Sequence, residues 1–194
     1  MGAGKTEVAN NLRKKFCEVL EADIIAKDLM HSQSDIILDI KNIFGRTSYH
    51  PDGSLNAQHI STIVFQDPNK LRQLNQIVHP AVEHAIIEIF KSKETAKQRY
   101  CGVEAALIFE AKMEHLFRHI IYVDAPRDIR VERIRKRSPE LDPQQIGRRM
   151  KAQIDPGKAK DLADFVIIND QSLEVLEKRT DLIMNIIMHM TGTP

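Results

Sequence analysis

Short apolar runs alternate with amphipathic stretches along this chain, and the alternation predicts its elements. Lys5 to Phe16 predicts a helix, with Val8 and Leu12 one turn apart on a single face. Cys17 to Ala22 predicts a short strand ending at Asp23. From about Ile24 to Lys97 the period is almost wholly helical, interrupted at His50-Pro51-Asp52-Gly53, Asp67-Pro68 and His79-Pro80. Strand signals return at Tyr100 to Phe109 and at His119 to Val123, and a basic helix is expected from Pro126 to Arg137. Further helix around Pro143 to Ala152, a strand at Phe165 to Ile168 and a last helix from Ser172 to about Met190 complete the pattern. Strands separated by helices in this order predict βαβ units, hence an α/β fold with a central parallel sheet, carrying a helical insert.

Composition narrows the partners more than the fold. The chain has 194 residues, 42% hydrophobic and 28% charged, enough for one substantial core and most simply a single domain over 1–194. Lys and Arg total 28 against 27 Asp and Glu, so no global basic field exists to attract nucleic acid or an anionic membrane. Cys17 and Cys101 have no metal-ligand or paired spacing and are expected as buried packing residues. Nothing resembles a secretory signal or an apolar span, so a cytoplasmic protein is expected, as a monomer or weak homo-oligomer. Met1-Gly2 with Thr6 also fits the N-myristoylation pattern, a short match that recurs by chance.

The candidate chemistry starts at the first residues. Gly4-Lys5-Thr6 fill the last three places of G-x-x-x-x-G-K-[ST], a loop whose backbone amides cradle phosphates while the Lys reaches the β- and γ-phosphates and the hydroxyl holds Mg²⁺. The first glycine and the strand before it would lie upstream of Met1. Three explanations stand for that: a start assigned at an internal Met, a deliberate fragment, or a short protein that has lost transfer chemistry and survives as a binding module. Further along, Asp23 is either a ligand-side carboxylate at a strand end or the cap of a helix starting at Ile24. Arg130, Arg133 and Arg137 share a helix face that reads by itself as a solvated charge stripe. His79-Pro80 fits a helix start with proline in its first turn, and Glu110 fits either a strand-end site residue or a surface carboxylate.

In joint order these segments resemble the dephospho-coenzyme A kinase family over nearly the whole chain. Gly4-Lys5-Thr6-Glu7-Val8-Ala9 resembles its loop and first helix, and Glu21-Ala22-Asp23-Ile24-Ile25-Ala26 its Asp-Ala-Asp stretch. Asp52-Gly53-Ser54-Leu55, Ile63-Val64-Phe65 and Leu74-Asn75-Gln76-Ile77-Val78-His79-Pro80 resemble its helical acceptor region. Leu107-Ile108-Phe109-Glu110 is similar to its Pro-Leu-Leu-Phe-Glu strand, and Arg130 to Arg137, Arg149 to Gln153 and Ala163 to Asn169 to its arginine helix, lid and final strand.

The resemblance implies a three-layer P-loop kinase fold with its core at about 1–30 and 100–194, an acceptor-binding insert at about 31–98 and a lid at about 137–153. It implies phosphoryl transfer from ATP to the ribose 3′-hydroxyl of dephospho-coenzyme A, with Mg²⁺ as the metal. Ala3, Gly4, Lys5 and Thr6 would then hold ATP, Thr6 would ligate Mg²⁺, and Arg137 and Arg149 would clamp phosphates through bidentate guanidinium forks. Lys5, Asp23 and Arg137 would be catalytic, Asp23 as the base, and Asp23, His79 and Glu110 would meet the acceptor. The departures are Glu21 for an aspartate, Ala57 for an arginine, Ala106 for a proline and Arg130 for a glutamine. Other P-loop small-molecule kinases, of nucleoside, nucleotide or shikimate type, share the loop and lid and remain the alternative within the enzyme class.

Overall fold

A computed structural model describes residues 1–95 and 100–192, which fall in two compact units: Met1–Leu20 with Gln98–Pro194, and Glu21–Lys97. In the first unit the chain runs α1 (Lys5–Lys15), β1 (Glu18–Glu21, whose last residue opens the second unit), β2 (Cys101–Glu104), β3 (Ile121–Asp124), α6 (Arg127–Arg137), α7 (Pro143–Lys151), α8 (Pro156–Leu162), β4 (Phe165–Ile168) and α9 (Leu173–Met190). β3 and β4, Ile-Tyr-Val-Asp and Phe-Val-Ile-Ile, are β-branched and aromatic runs suited to a buried parallel pair. They pair in parallel with Ile121 opposite Phe165 and Asp124 opposite Ile168.

The expected sheet is divided. β1 pairs with β2 and β3 with β4, and among the described residues no ladder joins the two pairs. The core of this unit lies on the β3–β4 side, where Val123 and Ile167 pack with Val8 of α1 and Leu176 of α9. Ala3 is buried in the same cluster, so the segment before α1 is held against the ends of these strands.

The run Tyr100 to Phe109 was expected as one strand, but pairing stops at Glu104. Ala111 N–H donates to Leu107 C=O, Lys112 N–H to Phe109 C=O and Met113 N–H to Ile108 C=O, which closes this stretch into turns. An apolar run as short as Leu107-Ile108-Phe109 carries no periodicity to separate strand from turn. Glu110 therefore stands in a turn and ends no strand.

The described elements of the second unit after Glu21 are helices, α2 (Ala22–Ser32), α3 (Ser34–Phe44), a short 3₁₀ turn (Arg46–Ser48), α4 (Ala57–Gln66) and α5 (Pro68–Thr95), with one isolated antiparallel bridge between Tyr49 and Leu55. The helical insert, expected from about residue 31, is compact from Glu21 onward, and its expected end near residue 98 lies outside the described residues. The turn at His50 to Gly53 forms as expected, tightened by Gly53 N–H to His50 C=O at 3.0 Å and by the Asp52 carboxylate accepting from Ser54 N–H at 2.9 Å. Ile40, Phe44, Tyr49 and Ile60 form the buried centre.

Two expected interruptions resolve differently. Asp67 accepts from Asn69 N–H at 2.8 Å and Pro68 follows as the first helical residue, so that pair starts α5. His79-Pro80 neither starts nor breaks a helix: α5 runs 28 residues straight through it. A proline inside a helix forfeits a backbone hydrogen bond, and burial of Val78, Val82 and Ile86 on either side offsets that loss.

Candidate active site

The N-terminal loop is shaped by two glycines that no other residue can replace without strain. Gly2 has φ 72° and Gly4 φ 95°, in the left-handed region. A β-carbon on Gly2 would lie 2.5 Å from the Arg130 carbonyl oxygen, and one on Gly4 would fall on the Asn169 side-chain nitrogen. The loop is thus pressed against α6 and the residue following β4. Gly4 closes the first turn of α1 by accepting from Glu7 N–H at 3.1 Å and Val8 N–H at 3.2 Å. A left-handed residue directly before a helix makes successive backbone N–H groups converge, and that concavity at a helix N-terminus binds anions.

Cationic side chains act on the first residue of this loop. Burial first, then the charges of Lys5, Arg130 and Arg137, push the Met1 amino group down to about 5, while Glu110 acts the other way. Lys5 on α1 and Arg130 and Arg137 on α6 are thus the cationic neighbours of Met1. Arg130 and Arg133 are not a solvated stripe. Arg130 is 8% exposed and donates from Nε to the Met1 carbonyl at 2.9 Å. Arg133 donates to both the backbone and side-chain oxygens of Asn169 at 3.3 Å. Arg137, at the end of the same helix, is exposed.

Thr6 and Glu104 meet on the other side of the loop. The Thr6 hydroxyl donates to Glu104 Oε1 at 2.9 Å, which brings the first turn of α1 to the C-terminal end of β2. A hydroxyl and a carboxylate so placed are two hard oxygen donors, the type that a divalent cation bound to phosphates takes from a protein. Among the described residues no cluster of three or more His, Cys, Asp or Glu could hold a metal by itself. Glu104 was missed because the strand was expected to continue to Phe109, which drew attention to Glu110 beyond it.

The lid expected at 137–153 contains α7, which starts with a reciprocal cap between Asp142 and Gln145 and carries Arg149, half-buried, in its last turn. Its far end is tied down. Gln153 donates to the Ala106 carbonyl at 3.2 Å, accepts from Arg130 at 3.4 Å and from the Met1 amino group, and Ile154 N–H donates to Glu110 Oε1 at 2.6 Å. Glu110 thereby ties down the chain just past the segment expected as a lid. Gln153, like Asn169, is a polar residue whose role only the tertiary contacts reveal.

In the helical unit, Asp23 is exposed in the first turn of α2. Because the helix starts at Ala22 with Glu21 at the capping position, Asp23 does not cap it. His79 is half-buried in the interior of α5.

Comparison with known proteins identifies the family. The dephospho-CoA kinase family model matches residues 1–174. A dephospho-CoA kinase of Chlorobaculum tepidum is 34% identical over 185 residues, covering 93% of this chain and 88% of its own. A crystal structure from Thermus thermophilus superposes with a TM-score of 0.75 at 28% identity, covering 95% of this chain and 92% of its own. The fold is also that of a dephospho-CoA kinase from Campylobacter jejuni, with a TM-score of 0.72 at 21% identity over 98% of this chain and 94% of that one. With a family match over most of its length, and a relative 34% identical over 93% of it, this chain belongs to the dephospho-CoA kinase family.

Proposed function

We infer that the protein transfers the γ-phosphoryl group of ATP to the ribose 3′-hydroxyl of dephospho-coenzyme A, the closing step of coenzyme A synthesis. The observation that carries this reading, within a kinase family, is the Thr6–Glu104 contact beside the left-handed Gly4. It supplies two hard oxygen donors at the mouth of an anion-binding helix N-terminus.

Phosphoryl transfer demands little covalent chemistry from a protein and much positioning of charge. The Ala3–Gly4 peptide and the amides that follow bind the phosphates, and Lys5 follows the migrating group. Thr6 and Glu104 would hold Mg²⁺, which when bound neutralises phosphate charge. Arg137 and Arg149 close over the phosphates from the lid and shield them from water. Asp23 accepts the proton of the attacking hydroxyl, and His79 shapes the acceptor's surroundings on α5. Glu110 enters at the base of the lid instead of at the acceptor, since its Oε1 is engaged by Ile154. Such a biosynthetic kinase, drawing on ATP, would work in the cytoplasm.

The test is ATP turnover against dephospho-coenzyme A, nucleosides, nucleotides and shikimate, with the product's phosphorylation site located by NMR. Transfer to the 3′-hydroxyl of dephospho-coenzyme A with the highest kcat/KM is expected. Preference for another acceptor would move the protein to a different small-molecule kinase class, and ATP binding without any transfer would reduce it to a nucleotide-binding module.

A further inference from the structure

We propose that Asn169 is a positioning residue for the phosphate loop: its side-chain amide fixes the Ala3–Gly4 peptide so that the loop amides converge on the phosphates. The proposal rests on the assignment of Gly4-Lys5-Thr6 to ATP.

Asn169 directly follows β4 and is 3% exposed. Each of its polar groups is engaged. Its backbone N–H donates to the Asp124 carbonyl at 2.7 Å, a ladder bond at the end of the β3–β4 pairing. Its carbonyl and Oδ1 each accept from the Arg133 guanidinium at 3.3 Å. Its Nδ2 donates to the Ala3 carbonyl at 2.8 Å, a buried bond between residues 166 apart in sequence. The guanidinium can only donate and the Ala3 carbonyl can only accept, so one orientation of the amide satisfies both.

The consequence for the loop follows from peptide geometry. A trans peptide is planar, with its C=O and N–H pointing in opposite directions. Holding the Ala3 carbonyl on Asn169 therefore aims the Gly4 N–H away from Asn169. Gly4 then lies in the left-handed region and Lys5 begins the helix, the sequence of conformations that gathers consecutive amides into an anion nest. Glycine has little steric barrier to turning about its own backbone. Without the Asn169 amide, the Ala3–Gly4 plane can rotate and withdraw the first amide of the nest. Gly4 packs directly on Asn169, so the same side chain also excludes any larger residue there.

Asn169→Asp separates this role from simple packing. It keeps the volume and the Arg133 contacts but replaces the donor facing Ala3 with an acceptor. ATP and adenosine are titrated calorimetrically without acceptor, and kcat and both KM values are measured with it. For Asn169→Asp we expect ATP affinity to fall and the ATP KM to rise by about 10-fold or more, the loss attached to a buried hydrogen bond turned unfavourable. Adenosine affinity and the acceptor KM should hold. A folded variant with unchanged ATP affinity, or one that loses ATP and adenosine equally, overturns the proposal.

If Asn169→Asp does not fold, Arg133→Met provides the second measurement. It leaves the amide in place but frees it to turn, so ATP affinity should fall by a smaller factor while adenosine affinity holds. Unchanged ATP affinity in Arg133→Met would then overturn the proposal. Because ATP binding is read without acceptor, absence of transfer by the wild-type protein would count against the functional reading alone.

Discussion

The Thr6 hydroxyl and the Glu104 carboxylate lie 2.9 Å apart, the one in the first turn of α1 and the other at the last residue of β2. This contact joins the helix that presents the phosphate loop to the strand beside it. If both oxygens serve a phosphate-bound cation, Glu104→Gln keeps the shape and removes the charge. The Mg²⁺ concentration for half-maximal velocity should then rise by about 10-fold, as expected for losing one charged contact to a cation. The ATP KM at saturating Mg²⁺ should change far less. A Mg²⁺ titration of initial velocity decides it; an unchanged curve would leave Glu104 a structural partner of Thr6 only.

Lys5 and Asp23 lie in different compact units and are assigned different work. Lys5→Ala removes the charge proposed to follow the migrating phosphoryl group and should abolish transfer. Asp23→Asn keeps size and removes the proposed base, so kcat should fall by about 10²–10⁴ while ATP binding is retained. Since Asp23 is exposed and caps no helix, the substitution should leave the melting temperature close to wild type. Near-normal kcat in Asp23→Asn would remove the base from the mechanism.

The elements read most accurately from sequence are those whose pattern was reinforced by a physical boundary. β4 runs from Phe165 to Ile168 as expected, between the end of α8 and the Ser172 cap, and α6 ends at Arg137 as expected. Where the pattern lacked a boundary, it misled. Leu107-Ile108-Phe109 extended β2 by several residues and moved attention from Glu104 to Glu110. Pro80 was read as punctuation, yet the burial of Val78, Val82 and Ile86 carries α5 through it. α8 was not foreseen, because seven residues are too few for a periodic signal, although Asp155-Pro156 at its start is a recognisable cap. In the candidate site, Gly4, Lys5 and Thr6 could be proposed from sequence because a short contiguous pattern points to their chemistry. Asn169, Gln153 and Glu104 were not, because each acts through partners far away in sequence.

Cys17 and Cys101, expected as buried, are half-buried; that partial burial pushes the Cys17 thiol up to about 11, with Cys101 nearby adding to the effect and the Gly102 backbone opposing it. The nucleophile is the thiolate, so Cys17 should be alkylated by iodoacetamide at pH 8 roughly 100-fold more slowly than an unfolded cysteine. The sign for stability follows. Between the ordinary thiol range and about 11 the unfolded chain releases a proton that the folded chain keeps. This group therefore lowers stability as pH rises through that window. Peptide mapping after timed alkylation checks the first statement. Urea unfolding of wild type and Cys17→Ser from pH 8 to 10 checks the second, the wild type losing the more stability. Equal labelling of folded and unfolded Cys17 would contradict both.

Arg137 and Arg149 bracket the lid, the first exposed at the end of α6 and the second half-buried on α7. Between them the Asp142–Gln145 reciprocal cap sets where α7 starts, and Gln153 with Ile154 fixes where the segment rejoins the core. A segment tied at its base and cationic at its ends is suited to closing on phosphates. Replacing either arginine with lysine keeps the charge and loses the bidentate fork. Transfer should fall by about 10-fold or more, with the ATP KM rising and the melting temperature unchanged. The acceptor KM should stay near wild type, because the acceptor is assigned to the helical unit. ATP and dephospho-coenzyme A are varied separately for each variant. If the acceptor KM rises while the ATP KM does not, the arginines serve the coenzyme A side, and the two substrate assignments must be exchanged.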